Sequence, residues 1–341
     1  MPGGMGGATV AAAPRGGGRG RIVLPSVPRR RMVRAGRGPT NGPAGKGPFD
    51  VIAPRPRPRG MSGGVFLIVM LAAALHAGWN AIVKGGGDKA ASMTAVVIGQ
   101  GIAALIAFPF AGAMDWAACW PWLIAGVALH FGYQVFLIAA YQVGDLTQVY
   151  PIARGASPLI VAVTTMVAFG ATYSQSQLLG IVTIALGIAS ISLVRRGDGT
   201  FQVKAAVLAL ITGCFIAAYS ISDGMGARLA GTSLGFYAFT GMIEAVWFSL
   251  VMGVVAPAKL RASLRLRREM VIGGGASFIA YALVVHAFTL APIALVTALR
   301  ETSIIFALLI GVGLLGERLS LLKVVSTMVT LAGAAIVRLA R

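Results

Sequence analysis

The chain has 341 residues, 57% of them hydrophobic and only 11% charged, where a soluble domain carries roughly 25% charged residues. Its formal charge of +19 is unevenly spread: residues 1–60 hold twelve Lys/Arg against Asp50 alone, and the remaining chain holds seventeen against nine Asp/Glu. These figures exclude a soluble globular enzyme and leave an integral membrane protein with a basic N-terminal tail. The two cysteines, Cys119 and Cys214, lie in or beside apolar stretches. They read as free thiols packed as small apolar groups, with no disulfide framework and no metal site.

Residues 1–60 are rich in Gly, Pro and Arg and have no apolar periodicity. Such a segment cannot bury enough surface to offset its ordering entropy, so it is expected to be disordered. The Arg-Gly run from Arg15 to Arg21 lacks interleaved aromatics, and no nucleic-acid partner is expected. Arg29-Arg30-Arg31 is not followed by an apolar core and cleavage site, which argues against a twin-arginine export signal. Met61 directly precedes the first apolar span and would serve as an alternative initiator.

From Met61 onward the hydropathy predicts ten spans, each near the ~20 residues that cross a ~30 Å hydrocarbon core. They run over 64–84, 92–113, 119–142, 147–169, 175–194, 204–223, 230–256, 270–290, 293–315 and 321–339. The connecting loops leave no room for a soluble domain, and the one sizeable loop, 257–269, is strongly basic. In the first span His76, Trp79, Asn80 and Lys84 recur at i, i+3, i+4 and i+8 and share one helix face. A polar face in lipid must look into the protein or an aqueous cavity. Lys84, at the end, reads as snorkelling to the headgroups. In the third span His130 and Gln134 share a face, and a lone His there reads as a satisfied structural donor.

The fourth span opens on Tyr150-Pro151-Ile-Ala-Arg154 and continues to Ser157-Pro158. Each proline removes a backbone donor, so a broken or loosened helix is expected beside Arg154, lining a cavity. The sixth span repeats the first at an offset of 140, with Tyr219-Ser220 on Trp79-Asn80. Its end, Asp223-Gly-Met-Gly-Ala-Arg228, reads as a turn in which Asp223 and Arg228 pair. The seventh span places Glu244 near its midpoint, suited to carrying a proton or balancing an Arg. Gly273 to Gly275 allow close helix packing in the eighth span, and the nearly featureless tenth reads as scaffold or as a surface for a second copy of the chain.

The ninth span carries Arg300 and Glu301 near its middle, and a charge at that depth costs at least ~2.5–3.5 kcal/mol unless it is paired or wet. A shift of 146 residues lays Arg154, Ser157, Gly170, Ser174, Gly187 and Arg195 on Arg300, Ser303, Gly316, Ser320, Gly333 and Arg341 without a gap, with eight identities in 42 positions. The chain therefore reads as a duplication, residues 61–196 and 197–341, with five spans in each half. An odd number inverts the second half relative to the first, and inverted repeats suit alternating access. No His-Glu-x-x-His helix, Gly-x-Ser-x-Gly elbow or Walker-type phosphate loop is present to suggest an enzyme or an ATP-driven pump.

On His76-Ala-Gly-Trp79-Asn80 with Lys84, Tyr150-Pro-Ile-Ala-Arg154-Gly155, Tyr219 through Arg228, and Leu299-Arg300-Glu301-Thr302-Ser303 into Gly316-Glu317, residues 61–341 resemble the drug/metabolite transporter superfamily, in its EamA-type members. The resemblance implies a ten-helix carrier of small metabolites, often outward, with a central cavity between two repeats. The small four-helix relatives place an essential glutamate in their first helix, and the first span here has none. The first repeat also carries Gly170-Ala171 where the second has Gly316-Glu317.

The sequence expectation is thus an all-α integral membrane protein of ten transmembrane helices in two inverted repeats, in the inner cell membrane, moving a small polar or amphipathic metabolite without a cofactor. Trp79, Asn80, Tyr150, Arg154, Tyr219 and Arg300 are expected to bind substrate, with Glu244, Glu301 and His76 for coupling or charge balance. The alternative is a non-transporting membrane assembly or an intramembrane enzyme component, in which these groups stay mutually paired. The loop charges place both termini outside by the positive-inside rule, and the tail argues the reverse.

Overall fold

The computed structural model describes residues 61–143, 146–190, 202–313 and 321–340. The tail 1–60, Arg195, the Gly316-Glu317-Arg318 corner, Ser320 and Arg341 lie outside the described residues, as does the side chain of Gln148. Among the described residues the elements are helices, with no strand. They are α1 (Gly63–Gly85), α2 (Lys89–Ala107), α3 (Trp116–Val143), α4 (Leu146–Phe169), α5 (Gln175–Ala189), α6 (Val203–Leu229), α7 (Ser233–Val255), the short α8 (Pro257–Ser263), α9 (Gly274–Leu290), α10 (Ile293–Arg300), α11 (Ser303–Gly313) and α12 (Leu321–Leu339). A 3₁₀ turn, Phe108–Phe110, extends α2, and a π-helical turn, Glu269–Gly273, leads into α9.

Among the described residues eight helical stretches are long and apolar enough to cross a membrane, and the chain is a multi-pass membrane protein. Large apolar side chains point outward, such as Val167 at 83% exposure and Val254 at 85%. The interior is rich in Ala, Ser and Thr instead. That inside-out distribution follows from the solvent: lipid tails are as apolar as Leu, so helices associate through close contact of small residues.

Local chemistry sets the boundaries. Ser62 caps α1 by accepting from Val65 N–H, and Asp88 caps α2 by accepting from Ala90 and Ala91 N–H. A capping box of Ser174 and Gln177 opens α5. Gly170, at φ 65°, ends α4: its N–H reaches Met166 C=O, the 5→1 bond of an αL cap, and the N–H of Ala171 reaches Thr165 C=O.

Within the bundle α3 and α4 pack on α6, α9 and α11 pack on α1, α2 packs on α7, and α5 packs on α12. Two crossings depend on missing side chains. A Cβ at Gly274 would lie 2.6 Å from Gly99 Cα of α2, and one at Gly333 of α12 would lie 3.0 Å from the Gly180 carbonyl of α5. Gly273 and Gly274 of the eighth span and Gly333 of α12 are therefore spent on packing inside the chain, whereas a Cβ at Gly275 would meet open space.

Three expectations are corrected. First, α4 runs unbroken through Pro151 and Pro158. A proline removes one i→i−4 bond and need not end a helix whose neighbours hold it. Second, the break falls in the ninth predicted span, which separates into α10 and α11 at Glu301-Thr302. There Glu301 and Thr302 N–H bond three residues back, to Ala298 and Leu299 C=O, and the Thr302 hydroxyl donates to Leu299 C=O at 2.7 Å. A threonine hydroxyl competing for the helix carbonyl loosens the turn. Third, Asp223 to Arg228 is helical, not a turn. Gly224 and Gly226 are buried where a Cβ would meet Ile293 and the Phe236 ring, so these glycines serve close packing.

Candidate functional site

Ionisable side chains from several helices meet inside the bundle in two groups. The first joins α1, α4 and α10. Arg154 Nε donates to Glu301 Oε2 at 2.5 Å, and Arg154 Nη1 stands 3.3 Å from His76 Nε2. A guanidinium can only donate, so Nε2 of His76 accepts and that ring carries its proton on Nδ1. One turn before Arg154, the Tyr150 ring lies 5.3 Å from its Cζ, at cation–π distance. Arg300 Nε approaches the other carboxylate oxygen, Glu301 Oε1, at 3.6 Å. The helix break makes this possible: Glu301 is the C-cap of α10, so its side chain leaves the helix where the backbone turns.

The second group joins α3, α6, α7 and α9. His130 Nε2 lies 2.9 Å from Asp223 Oδ2 and 3.6 Å from Glu244 Oε1. Tyr281 donates its hydroxyl to the same Asp223 Oδ2 at 2.7 Å. The His130 ring stacks on Tyr219 at 4.0 Å, and Tyr237 meets Tyr281 edge-on at 5.0 Å. The two groups adjoin where the Arg300 guanidinium sits 5.9 Å from the Tyr281 ring centre.

Burial grades along this line. The side chains of Glu301, Asp223 and Arg300 are 2%, 3% and 5% exposed, while Arg154 keeps 12% and His130 and Glu244 keep 13%. Arg154 Nη2, Arg300 Nε and Nη2, Asp223 Oδ1 and Trp79 Nε1 are buried without a hydrogen-bond partner among the described residues. Buried guanidinium donors without partners are costly, and they are most readily satisfied by a bound oxygen ligand or water.

Of the expected site residues, His76, Arg154, Arg300 and Glu301 converge as one cluster with Tyr150 at its edge. Tyr219 and Glu244 belong to the second group. Trp79 only meets the His76 ring edge-on at 5.2 Å, and Asn80 spends its amide on the His76 carbonyl of its own helix at 2.7 Å. The expected Asp223–Arg228 pair does not form. Arg228 instead donates to the Phe288 and Ala291 carbonyls at the end of α9, which supplies donors that a helix C-terminus lacks. His130, read from sequence as a structural donor, Asp223 and Tyr281 belong to the site as well. The available signal was the four-residue spacing of Tyr219 and Asp223, which sets both on one face of α6 toward His130. A surface pocket of about 710 Å³ lies elsewhere, at the mouth between α6, α7 and α9, lined in part by Arg228, Thr232 and His286.

No family model and no curated protein matches this chain. A solved structure described only as a crystal structure of a protein superposes with a TM-score of 0.60 at 17% identity, covering 81% of this chain and 96% of its own. That likeness concerns the fold alone.

Proposed function

We propose that the protein is a secondary carrier, of the EamA type within the drug/metabolite transporter superfamily, that moves a small polar or amphipathic metabolite across the inner membrane by alternating access. The carrying observation is the set of buried guanidinium N–H groups on Arg154 and Arg300 without hydrogen-bond partners among the described residues, at a seam between the first and second halves of the chain. They suit a carboxylate or phosphate on the substrate, with Glu301 balancing the charge when the site is empty. Tyr150 and Trp79 would offer aromatic surface to the rest of the molecule.

The packing pattern supports ten spans in two inverted five-helix repeats. In this reading α10 with α11 forms the ninth span and the π turn with α9 the eighth. Exchanging the halves turns α3 on α6 into α9 on α1, and α4 on α6 into α10–α11 on α1. The α2–α7 and α5–α12 contacts map onto themselves. An arrangement whose main contacts recur under that exchange suits two related ways to open the seam, one toward each face.

The short Arg154–Glu301 bond favours a second reading, a static protein whose halves are held in register by a buried ion pair. Accessibility separates the two. In oriented membrane vesicles of a Cys119→Ser/Cys214→Ser background, Tyr150→Cys should react with a membrane-impermeant thiol reagent from either face. Protection from both faces, in the presence and absence of a mixed metabolite extract, would favour the static protein.

A further inference from the structure

The second group has an imbalance of charge that the carrier reading leaves without a task. Asp223 and Glu244 both face a single imidazole nitrogen, at 2.9 and 3.6 Å. One imidazolium neutralises one carboxylate. Among the described residues the groups around it supply no further positive charge at hydrogen-bond distance: Tyr219 comes from α6, Tyr237 from α7 and Tyr281 from α9, and Arg300 of α10 lies beyond the Tyr281 ring and faces Glu301. From α4, Arg154 is bonded to Glu301 and Tyr150 lies against Arg154. Two carboxylates and one imidazole in a low-dielectric interior therefore form a site whose missing ligand is a proton.

We propose that His130, Asp223 and Glu244 form the proton-binding site of the carrier, an inference that rests on the transport reading above. The proton enters and leaves at Glu244, which keeps 13% exposure against 3% for Asp223. It adds to the Glu244 carboxylate to give the acid, and departure restores the carboxylate, with His130 remaining the imidazolium partner of Asp223. Asp223 Oδ2 is the relay, since it accepts from both His130 and Tyr281. With Glu244 ionised, His130 is shared between two acids. With Glu244 neutral, His130 is held by Asp223 alone and competes with Tyr281 for Oδ2. Tyr281 lies beneath Arg300, so proton occupancy changes what supports a guanidinium of the substrate end. Unlike the Arg154 cluster, the site needs no cavity.

The test uses the full chain in liposomes and the proton itself as probe. Infrared difference spectra between alkaline and acidic medium should show a buried protonated carboxyl band. That band should disappear in Glu244→Gln and in the double variant Asp223→Asn/Glu244→Gln, and move along the pH axis in His130→Gln. An identical band in wild type and double variant would overturn the proposal. Liposomes that exchange an isotope-labelled metabolite then test coupling. An imposed pH gradient should raise the ratio of net flux to exchange several-fold in wild type and much less in Asp223→Asn. An equal rise in both discards the coupling role and leaves the carrier intact. A wild type that exchanges nothing from a broad metabolite panel discards the carrier and with it the coupling role, while the infrared result alone then judges the proton site.

Discussion

Arg154 and Arg300 stand at equivalent places in stretches related by a shift of 146 residues, yet their surroundings differ. Arg154 lies within an unbroken helix, despite two prolines, and donates directly to Glu301. Arg300 ends a helix in a span with no proline beyond Pro292, lies 3.6 Å from the same carboxylate and keeps Nε and Nη2 without hydrogen-bond partners among the described residues. The difference lies in the three residues after each arginine: Gly155-Ala156-Ser157 in one case and Glu301-Thr302-Ser303 in the other. An acid and a competing hydroxyl open the second helix and give the first arginine its counter-ion. The two matching positions thus differ in partners: Arg154 has Nε on Glu301 and Nη1 beside His76 with Nη2 open, whereas Arg300 has both Nε and Nη2 open.

The sharpest way to break this comparison is to remove the shared acid. Glu301→Ala should destabilise the protein by about 3–5 kcal/mol in detergent unfolding, because two buried guanidinium groups lose their counter-charge. Arg154→Met should cost more stability than Arg300→Met, and the Arg154→Met/Glu301→Met double variant should cost less than the sum of its singles. Equal costs for the two arginines would mean that the difference in partners is without consequence. A smaller effect, about 1 kcal/mol, is expected for Thr302→Val, which removes the hydroxyl bond to Leu299 C=O while its N–H bond to that oxygen stays. No change in unfolding would assign the break to packing rather than to the hydroxyl.

The smallest effect belongs to an ion pair in solvent. Lys259 of α8 donates to Asp88, and this bond, helped by Ala91 N–H, holds the Asp88 carboxyl below its ordinary range. A depressed folded value contributes stability above the unfolded carboxyl pKa, and that contribution is lost as the pH falls through the folded value. Asp88→Asn should therefore lower the thermal midpoint slightly near neutrality, less so in high salt, and match wild type in acid. A midpoint difference that persists in acid would mean that the cap geometry matters and the charge does not.

Much of the fold was legible in the sequence because lipid imposes a simple rule: long apolar stretches must be helical. Arg154, Arg300 and Glu301 were legible for the related reason that charge at mid-depth is too costly to be incidental. Asp223 was misread because Gly224 and Gly226 look like a turn. Only the neighbouring Phe236 and Ile293 show that they are contact points inside a helix. His130 looked solitary, since both its carboxylate partners lie more than ninety residues away. The glycine run of the eighth span was equally open until Gly99 appeared opposite it.

What the sequence by itself determined is the membrane environment, the apolar spans and the presence of ions that must find partners. Tertiary structure alone decided which partners those are, that α4 holds while α10 and α11 separate, and that the histidine of α3 gathers two acids. The physical reason is range. Hydropathy and helix periodicity are local and read along the chain, whereas the pairing of buried charges depends on which helix faces cross, and that is settled only when distant small residues bring the backbones together.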